Sequence, residues 1–225
     1  MPGRQTLLPD THEVAHVLPD VPEPLIRRLM ASARAVAYGA GDLVVPPGQE
    51  GAPGLVATGL LRVVIRSNDG RAATITTFGP GRMFGVSSLF HRAPVSVTAH
   101  EPSVVVHFEP GDVVRLGHES AEFAWALLRS VAGNSSVIPE VATKFAFKTV
   151  RQRVAEHLLW TVSQRPGNGD GLVARTTQQE IAEAVGSVRE VVARALRTLQ
   201  SKGLIRTTPG GVLILDKAGL VNQAV

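Results

Sequence analysis

Three arginines and one glutamate fall within nine residues near the C-terminus, at Arg189, Glu190, Arg194 and Arg197. At about 100° per residue they share one side of a helix with Ala193, while Val188, Val191, Val192, Ala195, Leu196 and Leu199 share the other. An arginine fork matches the O6 and N7 acceptors of guanine, and a carboxylate accepts from cytosine N4. These residue types on one helical face therefore suit the reading of base edges in a major groove. A solvated amphipathic helix would show the same pattern, so the elements around it matter.

Those elements favour the first reading. Thr177-Gln-Gln-Glu180 has the form of a capping box, and Ile181, Ala182 and Val185 give the helix after it one apolar face. Gly186 breaks that helix, Ser187 is placed to cap a second one running to about Ser201, and Lys202-Gly203 ends it. Leu204-Ile-Arg206, a turn over Thr207-Thr-Pro-Gly-Gly211, and Val212-Leu-Ile-Leu215 then read as strand, turn and strand, a wing. Thr177, Gln178 and Ser187, at the helix starts, join Arg189, Glu190, Arg194 and Arg197 as candidate DNA contacts.

Charge follows the same division. Up to Phe147 the chain carries 12 basic and 13 acidic residues, and beyond it 11 and 6, a basic head on a neutral body. With no cysteine in 225 residues, disulfides, thiolate metal sites, thiol redox sensing and cysteine-held iron–sulfur clusters are excluded. There is no Walker loop, no His-Glu-x-x-His, no G-x-S-x-G and no clustered carboxylates, so an enzyme is not expected. No run approaches the roughly 18 apolar residues of a membrane span, and residues 1–10 lack a signal-peptide core. A cytoplasmic protein with no membrane partner is the expectation.

The N-terminal half reads as a helical stretch over Pro24 to Ala35, then short strands from 36 to 109 separated by Gly, Pro and Asn turns. Leu60 to Arg66 and Arg71 to Phe78, joined by Ser67-Asn-Asp-Gly70, form a hairpin, with further strands at Asp42 to Val45, Val95 to Ala99 and Ser103 to Phe108. Many short strands imply a sandwich or roll. From Ser120 the period turns helical: Ala124, Leu128, Val131, Ser135, Ile138, Ala142 and Phe145 alternate at spacings of four and three, the seam of a coiled coil. Such a stripe pairs with a second copy or packs on its own β-domain. Pro139 predicts a kink near Gly133 to Pro139, and Thr149 to Ser163 forms a further helix bearing Val150, Val154, Leu158 and Leu159.

Gly41-Asp-Leu-Val-Val45, Gly81-Arg-Met-Phe-Gly85, Val150-Arg-Gln-Arg-Val-Ala155 and above all Val185-Gly-Ser-Val-Arg-Glu-Val-Val-Ala-Arg194 resemble the cyclic-AMP receptor and fumarate–nitrate regulator (Crp-Fnr) family. The resemblance implies an α+β fold with an N-terminal double-stranded β-helix, the cyclic-nucleotide-binding-like jelly roll, over residues 1–119. A long dimerisation helix over 120–147 and a C-terminal winged helix-turn-helix over 148–225 would follow. It also implies a homodimer on double-stranded DNA, contact with RNA polymerase, and reading of a TGTGA-like half-site by Arg189, Glu190 and Arg194.

The effector segment departs from that pattern. In cyclic-AMP-binding relatives the stretch matching Gly85-Val-Ser-Ser-Leu-Phe-His-Arg-Ala-Pro-Val-Ser96 supplies a glutamate for the ribose and an arginine–serine pair for the cyclic phosphate. Here Val86 and Val95 stand at the glutamate and arginine positions, and Ser96 alone is kept. Ile138 and Pro139 fall where the adenine would be touched. The candidate pocket is therefore Gly85, Val86, Ser87, Ser88, Arg92, Val95, Ser96 and Ile138, with an unknown effector, no cofactor, and cyclic AMP not expected to act. Two alternatives stay open: Arg92 as a replacement phosphate cation, and haem sensing through His91 and His100.

Overall fold

Alternation of buried and half-exposed residues builds two antiparallel sheets from the first half of the chain. The computed structural model describes residues 4–5, 14, 18, 20–48, 53–67, 71–92, 94–163 and 172–225. Among these the contacts divide into two units, 1–65 with 75–138 and 66–74 with 139–225.

In the first unit the strands are β1 (Arg4–Gln5), β2 (Arg34–Tyr38), β3 (Leu43–Val45), β4 (Gly54–Thr58), β5 (Leu61–Arg66), β6 (Ala72–Phe78), β7 (Met83–Phe84), β8 (Val95–Ala99) and β9 (Ser103–His107). They form sheets of order β1-β2-β9-β4-β7 and β3-β8-β5-β6. Val56, Phe84 and Val105 of one meet Leu61, Val63, Phe78 and Val97 of the other in a shared core, as a jelly roll requires. The β5–β6 hairpin forms where expected, and its Asn68-Asp-Gly70 tip lies outside the described residues.

The first sheet's other face is covered by helices. Ile26 and Leu29 of α1 (Glu23–Met30), Val113 and Leu116 of α2 (Pro110–Glu119), and Phe123 of α3 (Ala121–Ser135) share a core with Leu55, Met83 and Val106. The helical stretch expected to reach Ala35 stops at Met30, because Arg34-Ala-Val-Ala-Tyr38 pairs with β9 as β2. Ser120 caps α3 by accepting from the Phe123 amide at 3.2 Å.

After Ser135 the helix is interrupted at Ser136–Val137, and α4 (Ile138–Phe147) begins. Pro139 lies in the first turn of that new helix, where a missing N–H breaks no intrahelical bond. The anticipated kink is a full stop and restart. α4 leads into the second unit, with α5 (Val150–Ser163), β10 (Val173–Ala174), α6 (Gln178–Val185), α7 (Arg189–Ser201), β11 (Ile205–Thr208), β12 (Gly211–Ile214) and α8 (Lys217–Ala224). One core of Val154, Leu158, Ile181, Val185, Leu196, Leu199, Ile205, Val212 and Leu220 ties α5 to α8 and the sheet together. Among the described residues no helix is long and apolar enough to cross a membrane.

One ionisable contact fastens the β-roll internally. The Tyr38 hydroxyl and His107 Nε2 lie 2.9 Å apart between paired strands β2 and β9, and burial holds the imidazole below its ordinary pKa. In the unfolded chain His107 takes up a proton as pH falls through about 6.5, while the folded chain resists until lower pH. The stability it contributes is thus present above that value and is lost as pH falls through the window beneath it. The urea midpoint of His107→Gln should therefore fall less between pH 7 and pH 5 than that of the parent; equal falls would show that this imidazole is not linked to folding.

Candidate DNA-reading helix and β-roll cavity

The helix-turn-helix is set by two local devices. At the start of α6 the Thr177 hydroxyl accepts from the Glu180 amide at 3.2 Å, and the Glu180 carboxylate accepts from the Thr177 amide at 2.7 Å. This is the reciprocal capping box. At its end Gly186 has φ +64°, and a Cβ there would sit 2.7 Å from the Phe145 ring. Only glycine fits, on backbone and on space. Beside Phe145, the Arg153 guanidinium lies 4.9 Å from the ring centroid, donates to the Lys148 carbonyl at 3.2 Å, and has its pKa lowered by burial.

Ser187 does not cap α7. The capping position is Val188, extended at φ −108° and ψ 154°, with no side-chain oxygen to offer. Gly186 in its left-handed conformation consumes one residue of the turn and moves the helix start by one, so Ser187 donates its amide to Ala182 instead. Val188 is consequently exposed, not part of the core face.

From Arg189 onward the helix follows its expected sides. Val192, Ala195, Leu196 and Leu199 are buried, and Arg189, Glu190, Arg194 and Arg197 are exposed. β11 and β12 pair from Ile205↔Ile214 to Thr208↔Gly211, so the wing strands run closer to the Pro209-Gly210 turn than the sequence suggested. Thr177 and Gln178 line a cleft of about 360 Å³ whose opposite wall is Thr207, Thr208, Pro209 and Gly210 of the wing. In the second unit two elements escaped the sequence reading: β10, which adds a third strand beside β12, and α8, capped by Asp216.

In the β-roll a second concavity of about 210 Å³ is lined by Val45, Val63, Phe78, Phe84, Val95 and Val97 from the strands and by Gly85, Val86, Ser87 and Ser88 from the turn after β7. Val131, Asn134 and Ser135 of α3 and Ile138 of α4 complete it. Six of the eight pocket candidates lie here. Ser96 does not: successive strand residues face opposite sides, so with Val95 and Val97 pointing in, Ser96 points away and donates to the Val64 carbonyl at 3.3 Å. Arg92 and His91 are exposed, His100 is half-buried, and all three lie outside the lining.

The stripe on α3 also needs correction. Val131 turns inward to the cavity and the roll's core, and Ala124 is half-buried. The apolar side chains left exposed are Trp125 at 63% and Leu128 at 53%, followed on the same face by Ala132 and Ser135. The seam is therefore rotated by about one residue over this helix. Beyond the interruption Ile138 and Ala142 are exposed, whereas Phe145 is engaged within the chain by Gly186 and Arg153.

Residues 152–222 match the Crp-like helix-turn-helix domain, and residues 35–120 match the cyclic nucleotide-binding domain. A CRP-like cAMP-activated global transcriptional regulator of Mycobacterium tuberculosis is 32% identical over 185 residues, 78% of this chain and 82% of that protein. The chain belongs to the Crp-Fnr family of transcription factors. The transcriptional regulator SdrP of Thermus thermophilus is 30% identical over 195 residues, 84% of this chain and 93% of its own. A crp/fnr-family regulator from Eubacterium rectale has the same fold at a TM-score of 0.82 and 22% identity, covering 92% and 97% of the two chains. This Crp-Fnr protein is thus a transcription regulator with a DNA-binding helix-turn-helix.

The cavity of this Crp-Fnr chain is apolar along most of its lining. Among the described residues its lining carries no charged side chain to replace the hydration of a phosphate. In the second unit, Gly186→Ala should destabilise the helix-turn-helix by about 1–3 kcal/mol through left-handed strain and ring overlap. Thermal melts of Gly186→Ala alone and in a Phe145→Ala background separate the two causes. An undiminished cost in the second background would remove the ring from the explanation.

Proposed function

We propose that this Crp-Fnr regulator binds an inverted-repeat operator as a homodimer, reads each half-site with Arg189, Glu190 and Arg194, and is not controlled by cyclic AMP. It acts as a cytoplasmic, non-enzymatic factor whose partners are DNA, a second copy of itself and RNA polymerase. The observation that carries the reading is the division of α7: its buried side locks the helix into the core and leaves the arginine-bearing side open, beside a wing. Arg197 and the Thr177–Gln178 start of α6 are assigned to the neighbouring phosphates. Such contacts add affinity without selectivity.

Gel shifts on an inverted repeat of TGTGA-like half-sites centred about 34 Å apart test this assignment. Arg189→Ala should weaken specific binding by about 1–3 kcal/mol and relax preference at one base per half-site, with non-specific binding barely changed. Equal weakening on every sequence would reassign Arg189 to phosphate.

The homodimer is supported by the exposed Trp125–Leu128 face, an apolar surface on a solvent-facing helix. The double change Trp125→Glu and Leu128→Glu should give monomers in sedimentation velocity, while Val131→Glu should act on the roll's own core. A dimer that survives the first change places the interface elsewhere.

Independence from cyclic AMP is supported by Val86 and Val95 in the cavity wall and by Arg92 outside it. A missing charge-assisted pair typically costs about 2–5 kcal/mol, which moves micromolar binding toward millimolar. Calorimetry should find cyclic AMP no tighter than that, and operator affinity unchanged at saturating nucleotide. A dissociation constant below about ten micromolar with a matching gain in DNA affinity would restore Arg92 as the replacement cation.

A further inference from the structure

The cavity's lining says what it excludes and also what it accepts. Its side chains are valines at 45, 63, 86, 95, 97 and 131, the rings of Phe78 and Phe84, and Ile138. The two rings are stacked, 5.8 Å between centroids and 12° from parallel, and present an aromatic wall. An apolar wall of this kind gains by covering apolar ligand surface, and it offers an ion nothing in exchange for its water.

The polar groups at the rim are few and partly committed. Asn134 is used at both ends: its Oδ1 accepts from Arg82 at 3.0 Å and its Nδ2 donates to the Met83 carbonyl at 2.8 Å. That leaves the hydroxyls of Ser87, Ser88 and Ser135 among the lining side chains. A hydroxyl donates one hydrogen bond and accepts others, enough to orient a single alcohol, phenol or carbonyl and too little to hold an anion. At about 210 Å³ the space exceeds the 150 Å³ apolar cavity that admits benzene, so one or two rings fit.

We infer that the β-roll cavity takes a small uncharged molecule, apolar over most of its surface, with one hydrogen-bonding group directed to Ser87, Ser88 or Ser135. The inference rests on the cavity being the effector site of the proposed regulator. Its position supports a regulatory role: Val131, Asn134 and Ser135 close the last turn of α3, and Ile138 opens α4 across the Ser136–Val137 interruption. An occupant touches both sides of the break, at the point where the chain leaves the first unit. Ligands act through differential affinity for two arrangements, and a break with ligand contacts on each side is where such a difference arises.

The test compares two probes of nearly the same shape and opposite charge state at pH 7, neutral 2-naphthol and anionic 2-naphthoate, by calorimetry on the full chain, with operator affinity measured at saturating probe. One 2-naphthol should bind per chain, and 2-naphthoate at least about thirty-fold more weakly. Ser135→Phe, on an exposed helical position at the cavity, should abolish naphthol binding with the circular dichroism spectrum unchanged. Val95→Arg should invert the preference in favour of naphthoate. No naphthol binding, equal binding of the two probes, or naphthol binding indifferent to Ser135→Phe each overturns the ligand class. Selective binding with no change in operator affinity instead overturns the cavity's role as effector site, so the two failures are told apart.

Discussion

Burial of Val192, Leu196 and Leu199 is the constraint on which the C-terminal unit depends. A helix has one rotational setting that hides a given apolar stripe, and once α7 takes it, the solvent side is fixed residue by residue. Removing such side chains costs about 2–5 kcal/mol each, against a few tenths for a typical surface change. The exposed arginine-bearing face is therefore held in place by the residues on the opposite, buried side. Gly186 and the Thr177 capping box set where the two helices start and stop.

The cavity obeys the opposite logic. In the first unit the strands deliver alternate side chains inward, and wherever an inward position carries valine the pocket loses a polar contact. Two inward positions, Val95 of β8 and Val86 of the turn after β7, weigh on the chemistry of the whole space because charge recognition is cooperative: an anion needs its full set of partners before desolvation is offset. Relatedness in fold therefore carries the architecture of the pocket into this chain, while single side chains such as those at 86 and 95 set what the space can pair with.

What could be read from the residues follows from how local each signal is. The capping box, the Asp-Gly hairpin, the wing turn and the two sides of α7 are encoded within a dozen residues each, and the sequence reading found them. β10 is two residues long and is a strand only because β12 lies beside it. α8 has little amphipathic pattern and is held by Leu220 and Ala224 in the core. The pocket residues at 95 and 96 were named together because a linear motif does not announce which strand face looks inward. Val131 falls on the heptad stripe, and heptad spacing does not distinguish a seam facing another chain from one facing the protein's own roll.

Gly54 pairs with Phe84 across β4 and β7, and a Cβ on it would come within 2.7 Å of that ring. Phe84 is a wall of the cavity; Gly54 is not. The dimensions of the pocket are thus governed from behind its lining, by an atom that is missing. Any side chain at position 54 would overlap that ring and force it to shift, altering the shape of the space while leaving the chemistry of its lining intact. Ligand preference in this roll can drift through a residue that no comparison of pocket linings would include.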